Sequence, residues 1–467
     1  MTRRSILTVV LLAVGFAAVL AATAIQRERT YQGLLARGTN ALRHHDAAVA
    51  IEALSGAIAL KRSSMVAYLR RGEAYLLGGP QGFPSALRDF REAARLDRGA
   101  VRPLERLGDI STKLGSHERA AEYYRTGLEL DAGAPAMTYK LALATYQAGR
   151  LADALELAQR ASRLDPRLAE AHYLRGLCLV DQKRLREGSE AFRRALAGDA
   201  SLVEARAQLA LTARQLGRGG EEVTQLEQLA EQTQQPEYAV ELGRALTRLG
   251  RIDQAIEVLD KASTRFPRDT KVMTTLGSAW LEKAAATEDG RARTQALAWL
   301  ERAEADERRT GRETSDTLAA LGRAWLLGDN PRQAVEVLQR AVATPPASVT
   351  AFDDLGRAAE QLSDWSLART ALERAQALDP TTRPDGRAAR AAHLADLSTR
   401  LSDHEAAAAW LDEARHLRPN DMSLVARAVE AHWAAGHRDE AVRMLYAALA
   451  KEPEDAALRR LASRMQE

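Results

Sequence analysis

Small and apolar residues return along this chain at a fixed interval of 34 positions. In Ala169–Leu202 and in Pro236–Asp269 a glycine stands at the eighth position (Gly176, Gly243) and a small residue at the twentieth (Gly188, Ala255). A large apolar residue follows at the twenty-fourth (Phe192, Leu259) and an alanine at the twenty-seventh (Ala195, Ala262). Steps of 34 recover the frame at Ser315–Ser348 and Val349–Thr382, with Gly322 and Gly356, Ala334 and Ala368, Ala341 and Ala375, and Pro346 and Pro380 in register. A periodicity of this length predicts stacked supersecondary units. Small residues at the eighth and twentieth positions let two antiparallel helices approach closely, and alanine at the twenty-seventh leaves room for the next pair. Proline near the thirty-second (Pro166, Pro267, Pro346, Pro380, Pro419, Pro453) ends the second helix, because it cannot continue the hydrogen-bond ladder.

The frame predicts repeats starting near Tyr31, Met65, Val101, Pro135, Ala169, Val203, Pro236, Thr270, Ser315, Val349, Ala388 and Met422. Ala456–Glu467, with Leu458, Leu461 and Met465 on one face, is expected to cap the last apolar surface. The second repeat carries two extra residues in the turn around Gly78–Pro84, and the eighth is 11 residues over length. A loop, or a break near 284–314, is expected there, and Arg383–Arg387 is expected to separate the tenth and eleventh repeats. Ahead of the repeats, Arg3 and Arg4 precede an uncharged run from Ser5 to Ile25. About 20 apolar residues cross a bilayer as a helix, and bases ahead of them favour a cytoplasmic N-terminus. Residues 1–30 are therefore expected to form a membrane anchor or a signal peptide, and 31–467 a helical-repeat domain. Ala22-Thr23-Ala24 also fits a signal-peptidase site, so cleavage near Ala24 stands as the alternative to an uncleaved anchor.

The 34-residue pattern of Gly, Ala and Pro resembles the tetratricopeptide repeat. That resemblance implies an all-α, right-handed superhelical solenoid of about twelve antiparallel hairpins. It also implies that the second, fifth, ninth, twelfth and thirteenth positions of each repeat face a groove where partner segments bind. These positions include Leu69 and Leu76 in the second repeat, Tyr139, Leu143 and Tyr146 in the fourth, and Tyr173 and Leu177 in the fifth. The third repeat interrupts them with Arg102, Glu105, Asp109 and Lys113, and a charged alternative runs from Asp353, Arg357 and Glu360 to Asp396 and Arg400. The Lys and Asn of the chaperone-binding carboxylate clamp are replaced by Leu35 and Thr39, so that function does not transfer.

Composition narrows the reading. Aromatic residues are only 5% of the chain, so the core is expected to be mostly Ala and Leu, as close-packed helices require. Two of its 66 basic residues fall before Ile25, leaving 64 against 63 acids and no basic surplus of the kind nucleic acid attracts. The lone Cys178, between Leu177 and Leu179, reads as a small buried residue. His437-Arg438-Asp439 lacks the downstream Asn of a kinase loop, having Met444 there, and His404-Glu405 lacks the second His of a zinc-protease helix, having Ala408. Gly217-Arg218-Gly219-Gly220 lacks the Lys of a phosphate loop, and His44-His45-Asp46 falls in a turn. No catalytic, cofactor or metal residues are assigned. The tryptophans, from Trp280 to Trp433, read as packing residues, with Trp433 one place past the core site. The expectation is a non-enzymatic envelope scaffold binding protein partners, single-pass in a bacterial inner membrane with its solenoid in the periplasm. Relatives of this layout serve assembly of pili, secretion machinery or exopolysaccharide export. The alternative is an accessory subunit of an enzyme complex such as a polysaccharide synthase.

Overall fold

The computed structural model describes residues 3–378 and 384–465, and its regular structure is helical, with no strand among the described residues. Helix α1 (Arg3–Arg43) packs on α2 (Ala47–Leu60), α3 (Met65–Leu77) on α4 (Phe83–Leu96), and α5 (Val101–Lys113) on α6 (His117–Leu130). Next, α7 (Pro135–Gln147) packs on α8 (Leu151–Leu164) and α9 (Ala169–Asp181) on α10 (Leu185–Gly198), followed by α11 (Val203–Gln215) and α12 (Gly219–Gln232). The chain divides into two compact units, Met1–Gln225 and Leu226–Glu467, so the boundary falls within α12. In the second unit α13 (Pro236–Arg248) pairs with α14 (Ile252–Arg265), α15 (Thr270–Thr287) with α16 (Gly290–Thr310), and α17 (Ser315–Leu327) with α18 (Pro331–Ala343). Then α19 (Val349–Gln361) pairs with α20 (Trp365–Leu378), α21 (Pro384–Arg400) with α22 (His404–Leu417), and α23 (Met422–Ala434) with α24 (Arg438–Lys451). The short α25 (Ala456–Arg464) closes the second unit against α23 and α24, burying Leu458 and Leu461 as the capping reading requires.

The first helices α3, α5, α7, α9, α11, α13, α15, α17, α19 and α23 begin at the residues where the 34-residue frame starts a repeat. The packing shows why the eighth position is small. A Cβ placed on Gly176 would lie 2.4 Å from the Phe192 ring, and one on Gly72, Gly108 or Gly322 would lie 2.4–2.5 Å from Phe90, Tyr124 or Leu338. The large residue of the second helix thus lies directly over the bare backbone of the first. The twentieth position is pinched from the other side, since a Cβ on Gly188 would lie 2.7 Å from Val180. Ala195 is fully buried and Ala262 nearly so, as the twenty-seventh position demands. The second helices α8, α14, α18, α22 and α24 stop at Leu164, Arg265, Ala343, Leu417 and Lys451, two or three residues ahead of their prolines. A residue just before proline is pushed out of the helical region, which ends the helix early. Pro380 and Arg383 lie outside the described residues.

Helix α1 runs unbroken from the apolar run into the first hairpin, and Tyr31, where the 34-residue frame starts the first repeat, is its first buried residue among those described. Two expectations are corrected. The extra residues of the eighth repeat form no loop but lengthen the pair, to 18 residues in α15 and 21 in α16. Pro384 to Arg387 are no spacer, because they form the first turn of α21.

The inter-helix turn adds a rule that the hydropathy pattern does not contain. In most repeats the fifteenth residue has a left-handed backbone: Gly115, Gly149, Gly217, Gly250 and Gly436 on one hand, His45, Lys183, Asp329, Ser363 and Ser402 on the other. For a side chain longer than glycine's this region costs about 1–2 kcal/mol, against about 0.5–1 kcal/mol for the extra entropy glycine loses. Lys183→Gly is therefore expected to raise stability by about 0.5–1 kcal/mol. Guanidinium denaturation followed by helical circular dichroism measures it, and a loss of stability would contradict the turn rule.

Candidate functional site

In the first unit the face built by the first helices carries most of the residues expected to meet a partner. Leu69 does not belong to it. It is 7% exposed and packs in a core cluster with Phe90 and Leu107. Leu76, about two turns further along α3, is half-buried and lines an open cavity of about 410 Å³ with Thr39, Glu73 and Arg102. That cavity draws its walls from α1, α3 and α5, three successive first helices. Tyr139, Leu143 and Tyr146 of α7 are half-buried and lie against a cluster that includes Leu174 and Cys178 of α9. Tyr146 donates its hydroxyl to Asp181 at 2.7 Å, and the Tyr173 ring stands 5.9 Å from Phe192. Leu177 is half-buried beside them. Burial raises the pKa of Tyr139 and of Tyr173, with smaller contributions from Glu170 and Glu204 respectively, so both remain neutral, apolar-faced donors.

The charged step of the third repeat is neutralised from within. Arg102 of α5 donates to Glu73 of α3 at 2.8 and 3.1 Å. Lys140 of α7 reaches back to Glu105 at 2.6 Å and Asp109 at 2.8 Å, and Tyr124 also donates to Asp109. Burial alone would lower the pKa of Lys140, but its bonds to Asp109 and Glu105 outweigh that and the net shift is upward. Lys113 is exposed at the end of α5. The charged alternative in the second unit is likewise occupied by its own pairs. Asp353 takes a two-pronged contact from Arg390 at 2.9 and 3.0 Å, Arg357 meets Asp354 at 3.0 Å, and Glu360 meets His393 at 3.0 Å. Asp396 accepts from Arg427 at 2.5 Å, and Arg400 lies 4.6 Å over the Trp365 ring. Trp280 and Trp325 pack on the core of α15 to α18 as expected, while Trp433 packs on the terminal cluster with Arg438 over its ring at 5.3 Å.

Most of these pairs join neighbouring repeats, and they are what residue-by-residue reading missed. The signal was present as a spacing near one repeat length: Arg102–Glu73 (29 apart), Lys140–Glu105 (35), Arg369–Asp403 (34) and Arg464–Glu430 (34).

The set-aside motifs are turn elements. His45 is the left-handed turn residue, and Asp46 caps α2 by accepting from the Val49 amide at 3.1 Å. Gly217 fills the same turn place, and Asp403, ahead of His404, caps α22 through the Ala406 amide. His437 has more company than a solvated turn. Its Nδ1 is 3.3 Å from that of His432, its Nε2 is 3.2 Å from Glu405, and His432 Nε2 is 3.0 Å from Asp412. No group of three or more His, Cys, Asp or Glu among the described residues is arranged to hold a metal ion.

Hairpins stacked at a recurring interval, several of them closed by a large residue lying over a glycine, define a helical-repeat solenoid class. Family models narrow it. Two models described as tetratricopeptide repeat match this chain, one at residues 81–135, 319–381 and 354–421 and the other at 236–269. A third, described as anaphase-promoting complex, cyclosome, subunit 3, matches 111–195. The repeats that these models match are tetratricopeptide repeats. No curated protein matches it. Among solved structures it is similar to the APC/C hetero-tetramer Cut9-Hcn1 (TM-score 0.38, 16% identity, 94% of this chain and 96% of that one). It is also similar to MamA 41-end from Desulfovibrio magneticus RS-1 (0.32, 23%, 39% and 96%) and to YrrB, a TPR protein with an unusual peptide-binding site (0.32, 19%, 48% and 97%).

Cys178 sits fully buried on α9, and burial, with a smaller contribution from Asp181, pushes its thiol up to about 12. A raised pKa keeps it protonated at neutral pH, where thiolate is the reactive form. The folded protein is expected to resist maleimide at pH 7.5 and to take up one equivalent in guanidinium. Rapid native labelling would contradict its packing.

Proposed function

We propose that this chain is a non-catalytic protein–protein interaction scaffold of the cell envelope, holding an extended segment or helix of a partner against the first helices of its second to fifth repeats. The observation that carries the reading is the row Leu76, Tyr139, Leu143, Tyr146, Tyr173 and Leu177, all half-buried on α3, α7 and α9. Such side chains are positioned by the core yet keep apolar surface in water. Covering each is worth about 1.5–3 kcal/mol before ordering costs, so a few suffice for micromolar affinity. Ion pairs internal to the fold occupy Arg102, Glu105 and Asp109 of the intervening third repeat, which leaves apolar contact to carry most of the affinity. Replacing Tyr139 and Tyr173 with Ala is expected to weaken partner capture at least tenfold. A photo-crosslinking residue at Tyr173 should trap the partner, whereas one at the exposed Arg186 on α10 should not. Equal crosslinking at both sites, or unchanged capture by the double variant, would reject this face.

Membrane attachment is the second half of the proposal. Leu11, Leu12, Phe16, Leu20 and Ile25 expose between 53 and 69% of their surface along α1, and the helix is long and apolar enough to cross a bilayer. An exposed apolar run of that length favours insertion over solvation. With Arg3 and Arg4 ahead of it and no acid before Glu28, the span is oriented with its N-terminus inside and the repeats in the periplasm. Alkaline phosphatase fused after Glu467 is expected to be active, and a reporter fluorescent only in the cytoplasm to stay dark. The opposite pair of results would overturn the orientation.

A further inference from the structure

One cavity in the first unit belongs neither to the first-helix face nor to the membrane segment. It is open, of about 550 Å³, and lies where the ends of α8 and α10 meet α9. Four arginines line it, Arg163, Arg167, Arg175 and Arg194, and no carboxylate does. We propose that this cavity is a binding site for a multiply charged phosphate-type oxyanion, with Arg175 as its central ligand.

The repeat register shows that Arg175 is out of place as a structural residue. It holds the seventh position of its repeat, where the third, fourth and sixth repeats bury Leu107, Leu141 and Leu209. The second repeat also has arginine there, and it shows what a structural arginine needs. Arg71 makes a two-pronged contact with Asp89 at 2.7 and 2.8 Å and donates to Ser55 at 3.1 Å. Asp89 is the residue immediately before Phe90, which covers Gly72; in the fifth repeat the residue before Phe192, which covers Gly176, is Ala191. The counter-charge that the fold supplies to Arg71 is therefore missing for Arg175. Its Nε is buried and has no hydrogen-bond partner.

The nearest acids do not make up the loss. Glu187 is held by Arg184 at 2.7 and 2.8 Å, and Glu190 is shared between Arg193 at 3.1 Å and Arg194 at 3.7 Å. Burial first, then the neighbouring Arg194, lowers the pKa of Arg175. A guanidinium cannot escape such a setting by losing its proton, so the strain is relieved by an anion. His172, 6% exposed, lines the cavity and donates Nε2–H to the Pro166 carbonyl at 3.1 Å, which leaves anion binding to the arginines. Several guanidinium groups converging without a carboxylate match an oxyanion with many acceptor atoms, and phosphate geometry suits the arginine fork. The volume admits a diphosphate, free or carried on an ester.

The test uses the full-length protein in detergent at 150 mM salt, titrated calorimetrically with pyrophosphate and with ADP. Pyrophosphate is expected to bind and to raise the melting temperature. Arg175→Leu installs the residue of the neighbouring repeats, so it is expected to fold and to melt at or above the wild-type temperature without ligand, while binding pyrophosphate at least tenfold more weakly. Arg194→Gln, at the rim, is expected to weaken binding several-fold without change in melting, and it serves should Arg175→Leu fail to fold. Equal affinity for pyrophosphate and ADP would identify the free diphosphate as the recognised group, and tighter ADP binding an ester-borne one. No pyrophosphate binding at millimolar concentration, or undiminished binding by the variants, would overturn the proposal.

Discussion

The contact on which the hairpins depend is a large side chain lying on bare backbone. Phe90 over Gly72, Tyr124 over Gly108, Phe192 over Gly176 and Leu338 over Gly322 repeat one arrangement, and in each a single methyl group would collide. Interiors at crystal-like density respond to one extra carbon, so this contact fixes both the separation of the two helices and their register. The fourth repeat meets the same constraint with a smaller couple, Ala142 and Ala158, both fully buried. From this contact the other small positions follow, because helices this close leave room only for glycine or alanine where they cross.

Between hairpins, cohesion has a different character. Alanines at the crossings bury little area each, and ion pairs about one repeat apart add directional contacts. Exposed pairs such as Arg464–Glu430 contribute little on their own. Within a hairpin, Arg71–Asp89 is of another kind, since the Asp89 side chain is 1% exposed and its loss would leave the Arg71 guanidinium without its counter-charge. The ion-paired third repeat separates two surfaces of different character: the cavity beside Leu76 and the tyrosine-lined patch of α7 and α9.

Sequence reading recovered the repeat length, the helix starts and the cap because those are steric requirements that leave few residue choices. The left-handed turn was harder to see. Glycine satisfies it in some repeats, but Lys183 and Ser363 accept the same backbone, so no single residue type marks the position. The inter-repeat pairs were hidden for the opposite reason: acids and bases are so frequent that only a structure selects which ones meet. Leu69 illustrates a third limit. Its family position promises a groove residue, yet in this chain it is enclosed with Phe90 and Leu107, beside the bulged turn where Gly82 lets the chain pass the Tyr75 carbonyl. Lengthening of α15 and α16 shows that inserted residues extend a helix when their sequence, rich in Ala, Arg and Glu, favours it.

The unbroken α1 has a mechanical consequence. Its 41 residues make a rod of about 60 Å. Its second half is clamped to the rest of the first repeat by buried Tyr31, which bonds Ser64 at 2.6 Å, and by Glu28, which meets Lys61 at 3.3 Å. No glycine-rich swivel intervenes between the apolar half and the clamped half. With the apolar half seated in a bilayer, tilt and axial rotation of that half are transmitted directly to the first hairpin. The first unit would thus be carried as on an axle rather than on a tether: its bearing toward neighbours in the same membrane would be set in advance, and the orientational entropy a loosely strung array loses on docking would be largely absent.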